Sequence, residues 1–164
     1  MYKKVLVPLD GSELAECVLP HVETIARGCG TQSVVFLRVV EPFIYMMASG
    51  WENGGSFFSG DEIERINSEN RAAAKRYLDQ LLSRTKYDGV NVQSAIITGK
   101  AADSIAEYAT KNGVDLITIA THGRSGISRW VWGSVADRVL RSAGVPVLMV
   151  RAPGCGPAAL PDKK

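Results

Sequence analysis

Apolar residues run through this chain in two rhythms. Short, nearly continuous runs rich in Val, Ile and Leu alternate with longer stretches in which apolar positions recur every three or four residues. The first rhythm predicts strands at Lys3 to Leu9, Ser33 to Val40, Val90 to Ile97, Val114 to Ala120 and Pro146 to Arg151. The second predicts helices. Leu14, Val18, Leu19, Val22 and Ile25 share one helical face behind a Ser12 cap, with a kink expected at Pro20. Ser59 and Glu62 have the spacing of a capping box, and Ile63, Ile66, Ala73, Ala74, Tyr77, Leu78, Leu81 and Leu82 continue as the stripe of a long helix. Ala101, Ala102, Ile105, Ala106 and Ala109 mark a third helix ending at Asn112-Gly113, and Ser134 to Ala143 a fourth, stopped by Gly144. Strands that are nearly all apolar and alternate with helices imply an α/β fold with a parallel sheet covered on both faces.

The segment DLITIATHGRSGISRWVWGS, from Asp115 to Ser134, joins a strand to a helix through a Gly-rich loop. Gly123 and Gly126 allow backbone N–H groups to approach an anion, and Gly133-Ser134 opens a helix whose first N–H groups lack internal partners. This is a candidate phosphate cradle. Nine residues separate Gly123 from Gly133, and no Gly-Lys-Ser/Thr triplet follows, which disfavours a P-loop motor or kinase.

Composition narrows the class without changing the fold. A chain of 164 residues, 46% of them hydrophobic, fits one domain with a sizeable core. The apolar runs are strand-sized, and the run after MYKK is interrupted at Asp10, so neither a membrane span nor a signal peptide is expected and the expected address is the cytoplasm. A formal charge of +2 with dispersed Lys and Arg gives no nucleic-acid footprint. Cys17, Cys29 and Cys155 lack CxxC spacing and are read as reduced, with Cys17 in the core; His21 and His122 have no ligand-spaced neighbours, so no protein metal site is expected.

The loop together with the amino-terminal VLVPLDGS resembles the universal stress protein family, a UspA-like domain of the ATP-binding type. Nucleotide-binding members carry G-x2-G-x9-G-S/T after the fourth strand and an Asp at the end of the first. Gly123, Gly133 and Ser134 match that motif, Ala120 stands at its first Gly, and Asp10 matches the Asp. The resemblance covers roughly residues 2 to 151. It implies a single domain over 1–151, a flexible tail over 152–164, and a three-layer α/β/α fold with a five-stranded parallel sheet in the order 3-2-1-4-5, Rossmann-like and akin to the adenine nucleotide alpha hydrolases. In that order the switch point lies between the first and fourth strands, where ligands of open α/β sheets bind.

The resemblance further implies ATP as ligand, accompanied by Mg²⁺ or Mn²⁺, and adenine held by backbone near Val39 and Val40. The expected nucleotide-binding residues are Pro8, Leu9, Asp10, Val39, Ala120, Gly123, Arg124, Gly126, Gly133, Ser134 and Val135. It also implies a homodimer in which Val147 to Val150 of each subunit pair antiparallel at the sheet edge. The function expected is adenine-nucleotide binding as a regulatory signal in stress response. A stress-response interaction module that binds no nucleotide is the alternative, and a slow ATP hydrolase a third reading.

Each site residue also has a plainer role. Asp10 could close an Asx turn into Gly11-Ser12, Ser134 with Asp137 could form a capping box, and Arg124 and Arg129 could be solvated loop charges. His122 has no visible nucleophile to serve, so no catalytic residue is assigned. Trp130 or Trp132 could anchor the loop on the core. The apolar stretch from Phe43 to Phe58 could cover the nucleotide, join a dimer interface or pack on the sheet.

Overall fold

The computed structural model describes residues 1–44, 59–121 and 133–151. The tail over 152–164 and most of the apolar stretch from Phe43 to Phe58 lie outside the described residues. Five strands, β1 (Lys4–Pro8), β2 (Ser33–Val40), β3 (Asn91–Thr98), β4 (Leu116–Ala120) and β5 (Val147–Val150), form one parallel sheet in the order 3-2-1-4-5. Each lies close to its predicted span. The helices are α1 (Leu19–Cys29), α2 (Gly60–Arg84), α3 (Ala101–Lys111) and α4 (Ser134–Ser142).

The central strands are nearly all apolar because both their faces are covered. Alternate residues point to opposite faces, so Val5, Val7, Val34 and Phe36 join Val18, Val22, Leu78 and Leu81 beneath α1 and α2. Leu6, Val35, Leu37, Ile117 and Ile119 join Ile105, Ala109, Ala136 and Val139 beneath α3 and α4. Full burial of each such side chain stabilises the fold by about 1.5–3 kcal/mol relative to exposure. β3, at one edge, is half-buried at best, and β5 at the other exposes Leu148. Cys17 is partly buried against the α1/α2 core.

The first predicted helix is corrected by the structure. A 3₁₀ turn, Ala15–Val18, comes first, and α1 begins at Leu19 with Pro20 in its opening turn. Pro20 therefore kinks nothing: its missing N–H falls where a helix has no partner for one, and its fixed φ suits the start. Gly30, at φ 65°, ends α1 in the left-handed conformation.

The capping box on α2 forms as its spacing predicts. Glu62 N–H donates to Ser59 Oγ at 3.2 Å, and Ser59 N–H donates to Glu62 Oε2 at 2.8 Å. The Ser59 N–H, and then the Ser59 hydroxyl donating to Oε2 at 3.0 Å, hold the Glu62 carboxyl below its ordinary value. The buried stripe is narrower than the pattern: Ala74, Leu78 and Leu81 are buried, Ile63, Ile66, Tyr77 and Leu82 half-buried, and Ala73 faces solvent. Among the described residues, no helix is long and apolar enough to cross a membrane.

Candidate functional site

β1 pairs directly with β4, while their following segments lead to opposite sides of the sheet. At the carboxyl ends of β1, β2 and β4 this divergence leaves a cavity of about 380 Å³, within the range of small-molecule sites. Leu37, Val39 and Ile119 supply sheet residues, Ala101 and Ile105 come from α3, and Gly133 to Ala136 from the start of α4. Asp10 and Arg38 are the charged side chains among the described lining residues.

Of the residues expected to bind nucleotide, Pro8, Leu9, Asp10, Val39, Ala120, Gly133, Ser134 and Val135 all line this cavity. Gly123, Arg124 and Gly126 lie outside the described residues, as do His122, Arg129, Trp130 and Trp132. Several lining residues were not anticipated: Ala15, Leu37, Arg38, Ala101, Ile105, Ile119, Thr121 and Ala136. Arg38 had a readable signal, since it is the charge that interrupts the apolar run VVFLRVV near its carboxyl end. Its Nη1 donates to the Leu9 carbonyl at 3.3 Å, bringing a guanidinium to the mouth of β1.

Asp10 does close the Asx turn. Its Oδ1 accepts from Ser12 N–H at 2.9 Å and from the Ser12 hydroxyl at 2.5 Å. Ser12 Oγ in turn accepts from Ala15 N–H at 3.2 Å, which starts the 3₁₀ turn and sets Ala15 in the cavity wall. The local role and the place in the cavity are thus both occupied by one side chain.

At α4 the capping-box alternative is corrected. Gly133 is the boundary residue, with no side-chain cap, and Ser134 is already the first helical residue. Asp137 instead pairs with Arg141 through Oδ2 at 3.0 Å and Oδ1 at 3.2 Å, one helical turn on. The reason is tertiary: Gly133 N–H donates to the Thr121 carbonyl at 2.7 Å, fixing where the chain enters the helix. The following N–H groups, at Ser134 and Val135, have no acceptor within the helix. The helix dipole adds partial positive charge at the same end, so this wall of the cavity is suited to an anion.

Among the described lining residues, apolar walls, one carboxylate and one guanidinium accompany a helix N-terminus without a side-chain cap, which suits an amphiphilic ligand that carries anionic groups. The model of the universal stress protein family matches residues 1–151. Universal stress protein MJ0531 of Methanocaldococcus jannaschii is 32% identical over 155 residues, covering 93% of this chain and 84% of the relative. The solved structure of MJ0577 is 27% identical with a TM-score of 0.68, covering 94% of this chain and 99% of that one. A universal stress protein family protein from Arabidopsis thaliana, solved with AMP bound, shares the fold at 18% identity and a TM-score of 0.62, with 93% of each chain covered. A family match across nearly the whole length, on a sheet of the same order and a cavity at its switch point, leaves one assignment: the chain belongs to the universal stress protein family.

Proposed function

We propose that this protein binds an adenine nucleotide, with ATP as the ligand, and that occupancy of the site is its signal in stress response in the cytoplasm. The observation that carries this reading is the uncapped N-terminus of α4 at Gly133-Ser134, set in the same cavity as Asp10. The phosphates lie at the Ser134 and Val135 N–H groups and the Gly-rich loop, Asp10 orients the ribose, and the base occupies the apolar end beside Val39. The Arabidopsis relative was solved with AMP bound, which supports a nucleotide as ligand. Asp10 is the one carboxylate among the described lining residues, too few donors for a protein-built metal site. That donor set fits a Mg²⁺ or Mn²⁺ ion brought by the triphosphate, where it would neutralise phosphate charge.

We further propose a homodimer joined along β5, which leaves no bare edge on that side of the sheet. Mass spectrometry of small molecules released on denaturation tests the ligand directly, with an adenine nucleotide as the expected result. Gly133→Val should raise the ATP dissociation constant at least tenfold, about 1.4 kcal/mol, by placing a branched side chain where phosphate meets backbone. At φ −46° the position tolerates a side chain, so the variant should stay folded. A folded variant with an unchanged ATP titration would exclude this cradle.

A further inference from the structure

Two helix N-termini meet the wall of the cavity, and they are finished differently. Ala101 opens α3, and Lys100 before it offers no side-chain cap. The cap comes from elsewhere: Glu41, the residue after β2, accepts from Ala101 N–H through Oε1 at 3.0 Å. A backbone bond from Gly99 N–H to the Val40 carbonyl, 3.2 Å, runs beside it. Together they fasten the end of β2 to the start of α3. Among the described residues no carboxylate caps α4: Gly133 has no side chain to give, and Asp137, in its first turn, pairs with Arg141.

A carboxylate at a helix N-terminus cancels the partial positive charge there and repels a second anion. The two helix ends that meet the cavity therefore differ in charge: the Glu41 carboxylate offsets the one at Ala101, where Lys100 also stands, and no side chain among the described residues caps the one at Ser134. The neutralised end is also the apolar one, where Ala101 and Ile105 of α3 stand with Leu37 and Val39 of β2 in the lining. We infer that Glu41 is a positioning residue that decides which way round the ligand lies, by closing the α3 end to phosphate and holding that end as an apolar slot for the base. The inference rests on the nucleotide reading above and assigns it an orientation device.

The experiment titrates the full chain, wild type, Glu41→Gln and Glu41→Ala, with adenosine and separately with inorganic tripolyphosphate, at low ionic strength. Gln retains an oxygen that accepts from Ala101 N–H and loses the charge. Glu41→Gln should keep adenosine affinity within about twofold and tighten tripolyphosphate about threefold, a gain that disappears in about 0.5 M salt. Glu41→Ala should tighten tripolyphosphate similarly and weaken adenosine about threefold. If the wild type binds both ligands and neither variant changes tripolyphosphate affinity, the orientation role is wrong and the nucleotide reading stands. Equal weakening of both ligands in folded variants makes Glu41 a purely structural cap and also overturns the inference. A wild type that binds neither ligand overturns the nucleotide reading and this inference with it.

Discussion

Asp10 ties the turn into Ser12 and lines the cavity, and substitution can separate the two roles. An Asn there can still accept from Ser12 N–H, whereas an Ala cannot. Asp10→Asn should melt near the wild type yet bind ATP at least about fivefold more weakly, on the order of 1 kcal/mol for a hydrogen bond to a charged group. Asp10→Ala should lose about 1 kcal/mol of stability in addition. If the Asn variant binds ATP like the wild type, the carboxylate is a turn residue only. Buried Tyr87 and half-buried Tyr77 make a second prediction at this scale. Desolvation, then the Glu23 carboxylate, pushes the Tyr87 phenol up from 10.0 to about 12. Burial, then Glu16, raises Tyr77 as well. An unfolded tyrosine ionises near its ordinary value, so above that pH the folded state holds more protons than the unfolded one. This contribution to stability is complete below about pH 10 and is lost as pH rises toward 12. Tyrosinate absorbance should therefore show some of the five tyrosines titrating only as the far-ultraviolet dichroism collapses. Complete titration near pH 10 with the fold intact would contradict it.

Local chemistry decided which elements could be read in advance. The α2 capping box was legible because both partners lie within four residues and bond to each other. The central strands were legible because burial on two faces leaves few polar positions to blur the pattern. The Ser134–Asp137 spacing had the same local form and misled, because the bond from Gly133 to Thr121 moved the helix boundary by one residue. Ala101, Ile105 and Ala136 were invisible as site residues, since a small apolar side chain signals packing equally well anywhere and only the tertiary meeting of α3, α4 and β2 puts it in a cavity. The two faces of β5 differ in burial. Val147 and Met149 pack against the α3/α4 core, so a charge at either would injure the fold itself. Leu148 is 36% exposed on the other face of the strand. Leu148→Lys, with its symmetry mate close to the two-fold axis, should give a folded monomer by light scattering and dichroism. A wild type that is monomeric at micromolar concentration, or a variant that remains a dimer, rules out pairing along β5.

Across the whole molecule, the cavity gathers the ends of β1, β2 and β4 and the starts of α3 and α4, so a ligand there bears on both cores at once. The exposed Arg138–Asp103 pair, 3.0 Å, also links α3 to α4, but a solvated ion pair of this kind contributes at most about 1 kcal/mol. Ligand binding to the folded state is the larger effect. At a free concentration one hundred times the dissociation constant it adds about 2.7 kcal/mol. For a domain near 164 residues, each kcal/mol moves the midpoint by roughly 2–4 °C, so saturating ATP with Mg²⁺ should raise the melting temperature by roughly 5–11 °C. Tripolyphosphate and adenosine, each filling part of the cavity, should give smaller shifts, and Gly133→Val, at tenfold weaker binding, should remove about half of the ATP shift. On the proposal that occupancy is the output, the ATP should be recovered intact after incubation, with turnover far below the roughly 1–100 per second of kinases. No shift with ATP at millimolar concentration would remove the nucleotide reading. A shift accompanied by rapid ADP release would keep the site and replace the signal with an enzyme.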